Sequence, residues 1–482
     1  MVSQKDFHKI NDWLWELPQD FRADMRVPVR VYVSEEMLAE AFKDNSLFQA
    51  MNVATLPGIQ KYALVMPDMH EGYASPIGGV AAIETAEGIV SPGMCGYDIN
   101  CGVRLLRSAQ NENSLRPYLD KLAVEIQKRV PSGLGQGRQI KLSNKEIDGI
   151  LEEGVKSLVS KGYANPEDEE SCEASGRLPW ADSRMVSRRA RDRGRDQVGT
   201  LGSGNHFLEV QKVAEIFDET IAQGFGLFKD QVVLMVHCGS RGLGHQVCTD
   251  YLKEFIPLME GKYKIQVSDR EFAGVPFASP EGQRYFSAMA AAANFAWANR
   301  QMITFFVRQA WQNVLGEKGG RLDLLYDVAH NIIKKEKYPI EGREVEVAVH
   351  RKGATRAFPP GSPEIPEKYR PLGQPVLIPG SMGTASYVLV GTPGGEASFF
   401  SAAHGAGRAM SRHQALRTVS GPAVVRQLQQ QGIIVRCESV QGIAEEAPIA
   451  YKDIESIVEV VQQANLARRV ARLKPLAVIK GE

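Results

Sequence analysis

The sequence predicts an α+β fold in one intertwined domain, on three observations. Strand-like apolar runs (VPVRVYVS, 27–34; QVVLMVHC, 231–238; EVEVAVH, 344–350; PVLIPGSMGTASYVLVG, 375–391) are scattered among helical stretches. No segment repeats at a fixed period. No Pro-, Gly- or Ser-rich linker divides the 482 residues, and a 43% hydrophobic content is enough for one large core or two to three ordinary ones.

Taken in order, the first ~60 residues carry short helical patterns and the 27–34 strand. Residues 64–107 are apolar runs cut by Gly and Pro turns, hence β-rich. Residues 114–160 read as mostly amphipathic helix. The stretch 166–197 is the most polar of the chain and passes from acidic to basic, an insertion-like segment with Arg184, Arg188, Arg189, Arg191, Arg193 and Arg195 close together. A long helical region is expected at roughly 245–336, containing the Ala-rich FSAMAAAANFAWANRQMITFFVRQAW (286–311). The β pattern resumes after 375, and helices are expected to close the chain.

Lys+Arg and Asp+Glu both number 57, which excludes attachment to polyanions by bulk charge and leaves room for a local basic patch. The N-terminus lacks the apolar core of a signal peptide. The Ala-rich helix is interrupted by Asn294, Asn299, Arg300 and Gln301, so it reads as a buried helix rather than a membrane span. The six cysteines have no CxxC spacing and read as reduced thiols. A soluble cytoplasmic protein is expected. The absence of heptads and of net charge favours a monomer.

Of nine histidines, His8 and His413 lie in charged helical contexts and read as surface residues. His70, His206, His237, His330, His350 and His404 each end a strand-like run or sit beside Gly, Asn or Asp, and His245 follows the HCGSRGLG turn. One such histidine is more often a hydrogen-bonded structural residue than a ligand. Six of them together with Asp98 and Cys101 in MCGYDINCG make a divalent-metal set for zinc, manganese or iron. Asp98 and Cys101 are three apart, so one turn would place carboxylate and thiolate on the same side, and a thiolate can bridge two ions.

Phosphate handling is suggested by four Gly/Ser/Arg/Lys loops: GSRGLGH (239–245), HRKGATR (350–356), PGSMGTAS (379–386) and HGAGR (404–408). Any one of them is an ordinary turn; four exceed what turn-making requires. There is no Walker A sequence and no KxDG lysine-nucleophile signature. The imidazole of His404 is a competent alternative nucleophile toward phosphorus, with Gly405 and Gly407 admitting an anion and Arg408 neutralising it.

DINCGVR (98–104), GSGNHFLEV (202–210), HCGSRGLGHQV (237–247), HN (330–331), HRKGATRAF (350–358), PGSMGTASYVL (379–389) and HGAGRAMSR (404–412) resemble the motif set of the RtcB family. Those enzymes are GTP-dependent RNA ligases that seal tRNA exons. The resemblance runs from residue 67 to the C-terminus. It implies a single RtcB-like catalytic domain over 1–482, with mixed β-sheets surrounded by helices and a central metal and nucleotide cleft. It also implies joining of RNA 3′-phosphate or 2′,3′-cyclic phosphate ends to 5′-hydroxyl ends, through a GMP–histidine intermediate on His404 and an RNA end activated as a 3′-diphosphoguanosine. Two manganese ions would be held by Asp98, Cys101, His206, His237 and His330, with Cys101 shared. GTP and GMP would meet Asn205, Phe207, Glu209, Asn331, Pro379, Gly380, Ser381, Met382, Ser386, His404, Gly405, Ala406, Gly407, Arg408, Tyr451 and Lys480. Within this set Glu209 would select guanine and Tyr451 would stack on it. Arg189, Lys352 and Arg412 are candidate RNA-backbone contacts.

The implied partners are RNA (tRNA exon halves or broken RNAs), GTP and an archease-type activator. Cys238 stands where the pattern has a small residue and reads as packing. Two other readings use the same residues: a metal-dependent RNA phosphoesterase without a covalent step, and an RNA-binding protein with structural zinc.

Overall fold

The computed structural model describes residues 2–133, 140 and 142–481. Two large mixed sheets organise it. One has seven strands in the order His8–Asn11, Leu14–Leu17, Val29–Val31, Ile59–His70, Ile77–Glu84, Arg343–Lys352 and Asn331–Ile340. All its pairings are antiparallel except Val29–Val31 with Ile59–His70. The other sheet has the path Asp323–Ala329, Gly102–Asn111, Gln231–Cys238, Phe207–Ile216, Ala467–Lys480, Ser386–Gly391 and Pro375–Ile378, with Ile434–Arg436 added in parallel to Ala467–Lys480.

This second sheet is buried on both faces. Leu106, Val210, Leu234 and Val236 pack into one core, whereas Val103, Leu105, Val233 and Met235 point the other way into a second. Burial on both faces explains why QVVLMVHC is a continuous apolar run rather than an alternating one. The helix Pro280–Leu315 lies on the first of these faces and is buried all round through its middle. Ser279 caps its start, Pro280 occupies the first turn, and Gly316 ends it at φ +58°.

The polar residues that interrupt this helix's apolar run are structural clips. Asn294 accepts from Leu178 N at 2.7 Å, and Asn299 accepts from Gly199 N at 2.7 Å. Arg300, fully buried, pairs with Asp327, which also receives Arg104 at 2.7 Å. Arg300 Nη1 also donates to the backbone carbonyls of Asn100 (2.7 Å) and Cys238 (2.8 Å). One guanidinium thus ties three neighbouring strands of the sheet to the helix.

Two expectations are corrected. The helical region ends at Leu315, and Asp323–Ala329 and Asn331–Ile340 are strands. In the second of these, buried residues alternate with exposed Lys335, Lys337 and Pro339, a period-two pattern masked by its lysines. Nor do helices close the chain: after the helix Ile454–Gln463 comes the 14-residue strand Ala467–Lys480, which joins two halves of the second sheet. Residues 134–139 and 141 of the expected amphipathic stretch lie outside the described residues; helices Leu119–Arg129 and Asn144–Glu153 flank them. The polar 166–197 stretch is tied to the core by its acids. Asp168 takes both Arg308 nitrogens (2.6 and 2.7 Å), and Glu173 takes Lys334 (2.6 Å). Among the described residues no helix is long and apolar enough to cross a membrane.

Replacing Asp327 by Ala leaves two guanidiniums buried without their counter-charge. The expected cost is about 3–5 kcal/mol, read as a lowered midpoint in thermal or denaturant unfolding. Asp20→Ala on the exposed surface is expected to stay within about 0.5 kcal/mol.

Candidate active site

Four adjacent strands of the second sheet end at one edge, and each delivers a donor there. Cys101 immediately precedes Gly102–Asn111, His206 precedes Phe207–Ile216, His237 lies at the end of Gln231–Cys238, and His330 follows Asp323–Ala329. Because these strands alternate in direction, starts and ends fall at the same edge; the pairs Gly102 with Cys238, Ala329 with Gly102 and Phe207 with His237 set the register. Asp98 joins them through a turn closed by Cys101 N donating to Asp98 O at 2.9 Å.

The donor atoms converge. Cys101 Sγ lies 3.3 Å from His237 Nε2 and 3.5 Å from His206 Nε2. His237 Nε2 and His330 Nε2 are 3.3 Å apart, and His206 Nε2 is 2.9 Å from Asp98 Oδ2. Two donor triads result, Cys101–His237–His330 and Asp98–Cys101–His206, and they share the sulfur. His206 Nδ1 is 3.0 Å from the Leu201 carbonyl, and Nε2 faces the Asp98 carboxylate and Cys101 Sγ. Burial alone would lower this imidazole, but the surrounding Cys238, Cys101 and Asp98 hold it well above the usual histidine range; a cation bound at Nε2 would take the place of that proton. Burial, and then the neighbouring imidazoles, hold His237 and His330 well below the usual histidine range, in the neutral form a metal needs. Burial alone would raise the Asp98 carboxyl; the His206 hydrogen bond outweighs it and holds Asp98 below the ordinary carboxylate range. Burial pushes the Cys101 thiol up to about 11, a direction that a coordinated cation reverses. Carboxylate, thiolate and imidazole together fit a borderline divalent ion. Gly239 is required beside this cluster, since a Cβ there would sit 2.3 Å from Asp98 Oδ2.

His404 follows the short strand Ser401–Ala403, which pairs with Ala354–Arg356. Its ring lies edge-on to His330 with centroids 4.8 Å apart. Its Nδ1 is 2.5 Å from Asp68 Oδ2, which also accepts the backbone N–H groups of His404 (2.9 Å) and Gly405 (3.2 Å). Asp68 is fully buried. The carboxylate fixes the proton on Nδ1 and leaves the Nε2 lone pair available in the cleft. Gly407 makes this possible: at φ +67°, its missing Cβ would lie 2.2 Å from Asp68 O.

The cleft has a volume of about 810 Å³. It brings together the five metal candidates, Asn205, Phe207, Asn331, Pro379, Gly380, Ser381, Met382, His404, Gly405, Ala406, Gly407, Arg408, Arg412, Tyr451 and Lys480. Glu209 and Ser386 are buried one layer behind it. Gln211 Nε2 bridges Glu209 (2.6 Å) and Ser386 (3.1 Å), and Ser386 Oγ accepts from Gly380 N at 3.1 Å. Burial pushes the Glu209 carboxyl up to about 8 against the opposing pull of Gln211 and Lys480. Asn331 spends its amide on the fold, donating to Asp98 O (3.1 Å) and accepting from Gly353 N (2.9 Å). Arg408 lies over the Tyr451 ring at 5.2 Å, and both Arg408 and Arg412 pair with buried Glu446 (3.2 and 3.3 Å).

Lys352 is not placed for an RNA contact. It is buried outside the cleft, and its Nζ donates to the carbonyls of Tyr73, Ser75 (3.1 Å) and Gly93 (3.2 Å). Arg189 is exposed on the helix Arg188–Gly194 and does not line the cleft. His350 is buried in its strand with Nδ1 3.0 Å from Ala348 O. Cys238 packs against the Thr200 and Leu201 carbonyls. Three site residues escaped the sequence reading: Asp68, Arg241 and Glu446. Asp68 stood two positions before His70 in PDMHEG, where a carboxylate at a strand end was the available signal.

The sequence model of a family described as tRNA-splicing ligase RtcB matches residues 49–481. The chain is 51% identical to a tRNA-splicing ligase RtcB of Thermococcus kodakarensis, covering 100% of this chain and 99% of the relative. It is 52% identical to the tRNA-splicing ligase RtcB of Archaeoglobus fulgidus, covering 98% of each. It is also 48% identical to RNA-splicing ligase RtcB homolog 1 of Entamoeba histolytica, over 90% of this chain and 83% of the relative. The match runs along nearly the whole chain, which carries candidate metal donors gathered at one sheet edge beside a carboxylate-held histidine, and the chain belongs to the RtcB family of tRNA-splicing ligases.

Proposed function

We propose that the cleft joins RNA 3′-phosphate or 2′,3′-cyclic phosphate ends to 5′-hydroxyl ends at the expense of GTP. The observation that carries this reading is His404, held by Asp68 through Nδ1, with Nε2 in a cleft shared with the metal donors. Nε2 attacks the α-phosphorus of GTP; a P–N bond forms, the bond to the bridging oxygen breaks, and pyrophosphate leaves. The Asp68 carboxylate offsets the positive charge that the imidazole carries once Nε2 is bonded to phosphorus and Nδ1 keeps its proton, as an orienting acid does for a catalytic histidine. An oxygen of the RNA 3′-phosphate takes the GMP, which frees His404. The 5′-hydroxyl attacks the activated RNA phosphorus, its proton passes to solvent, and GMP departs. A cyclic end is hydrolysed to the 3′-phosphate first.

Asp98, Cys101, His206, His237 and His330 would hold two manganese ions. When bound, manganese neutralises phosphate charge and lowers the pKa of an attacking hydroxyl. The guanine would sit between Tyr451 and the Pro379–Met382 loop, with Lys480 at the end of its strand, and would reach Glu209 as acceptor by displacing the Gln211 amide that occupies that carboxylate. We read 1–482 as one catalytic domain, because strands from residues 8–31 belong to the same seven-stranded sheet as Asp68.

Three outcomes are expected. His404→Ala abolishes joining in an assay with 3′-phosphate and 5′-hydroxyl RNA while RNA binding persists; retained release of phosphate from the RNA end would favour a phosphoesterase instead. In manganese titrations followed by calorimetry, Cys101→Ala weakens both ions, whereas His330→Ala weakens one. Guanosine affinity depends on pH through Glu209: the ionised carboxylate is the form that accepts guanine N1–H, and it is the minor form below about 8. Affinity therefore rises by up to about tenfold per pH unit below 8, slackens above it, and falls again where guanine N1–H itself ionises. Glu209→Gln flattens that profile.

A further inference from the structure

The nucleotide reading leaves one part of the cleft without a role. On the Asp98 side, the helix Arg241–Pro257 begins with Arg241 and carries His245 in its first turns; both line the cleft. Arg241 is held at φ +55°, a strained conformation for a side chain of its size, with a buried Nε that has no hydrogen-bond partner. The His245 ring is exposed and stacks on Tyr97, with centroids 6.0 Å apart and planes 28° apart. Tyr97 in turn meets Tyr73 edge-on at 5.2 Å, and Tyr73 is 38% exposed. Tyr97 is the residue directly before Asp98, so this aromatic row starts at the metal donors and leads outward.

Two of the arginines in the neighbouring basic stretch have no acidic partner among the described residues. Of the six arginines between 184 and 195, Arg184, Arg188, Arg191 and Arg195 pair with Asp182, Asp192, Asp148 and Asp192. Arg189 and Arg193 have no acidic partner among the described residues. Arg193 instead donates to Gln246, next to His245, at 3.1 Å.

We propose that His245, Tyr97 and Tyr73 form a stacking platform for the unpaired bases of an RNA end, with Arg193 and Arg241 neutralising its backbone. Aromatic faces accept any base, and arginines beside them track the phosphates, which is the combination used for single strands without sequence preference. A duplex would not fit this chemistry, since its bases are already stacked on one another. The proposal rests on the ligase reading of the cleft.

The test uses the manganese-loaded full chain, with fluorescence anisotropy of a short labelled single-stranded RNA and, separately, of a blunt RNA duplex. His245→Ala and Tyr73→Ala are each expected to weaken single-strand binding about tenfold and to leave duplex binding unchanged. His245→Phe restores binding, because it keeps the ring and loses only the titratable nitrogens. Arg193→Gln lowers the salt dependence of binding by about one unit of slope. Unchanged single-strand affinity in both alanine variants overturns the platform, as does a His245→Phe variant as weak as His245→Ala. GMP transfer to the protein, which requires no RNA, is scored in parallel. Its absence in the wild type would sink the ligase reading, whereas its presence alongside unaltered RNA affinities would sink the platform alone.

Discussion

The buried contact between Arg300 and Asp327 is the constraint on which the site depends. The guanidinium reaches the carbonyls of Asn100 and Cys238, the neighbours of Cys101 and His237, while its carboxylate partner sits three residues before His330. The positions of three candidate metal donors are thereby referred to one rigid group on one buried helix. Burying two arginines around one aspartate is costly in itself, and replacing such clusters by apolar residues often stabilises a protein. Its retention here is explained by geometry: donors that must converge to within 4.8 Å tolerate little slippage between strands.

The same logic separates the charges of the cleft into two groups. Asp68 and Glu446 are both buried acids that hold functional side chains in place, the first His404 and the second Arg408, Arg412 and Tyr451. If the cleft takes GTP as proposed, its triphosphate would meet arginines already oriented by Glu446, which reduces the entropy lost on binding. Lys480 is placed by the last strand of the sheet rather than by a flexible tail; its pairing with Phe207 puts it beside the donors.

Much of this was legible in the chain. The continuous apolar run QVVLMVHC located one buried strand with His237 near its end, and the Gly, Asn and Asp neighbours of Cys101, His206 and His330 marked them as candidate donors, although the strand before His330 was expected as helix. The two triads themselves were not legible, because residues 101, 206, 237 and 330 meet only through strand order and antiparallel register. The strand Asn331–Ile340 was hidden by lysines on its exposed face, and Ala467–Lys480 by its arginines and Pro475. Lys352 was misread for a related reason: a lysine in a Gly/Arg loop suggests a phosphate ligand, yet its long stem carries the ammonium inward to backbone carbonyls. Asp68 had a neighbour, His70, that drew attention to itself although its ring only returns to the Asp68 carbonyl at 3.0 Å.

The central claim is that the ring of His404, oriented by a buried carboxylate, is where the nucleotide becomes covalently attached. Incubation of the full chain with α-labelled GTP and manganese, followed by peptide mapping under alkaline conditions, tests it directly. The account predicts one equivalent of GMP on His404, with the adduct sharply reduced in Asp68→Asn. Ligation proceeding with His404 unmodified, or GMP found on another side chain, would contradict it.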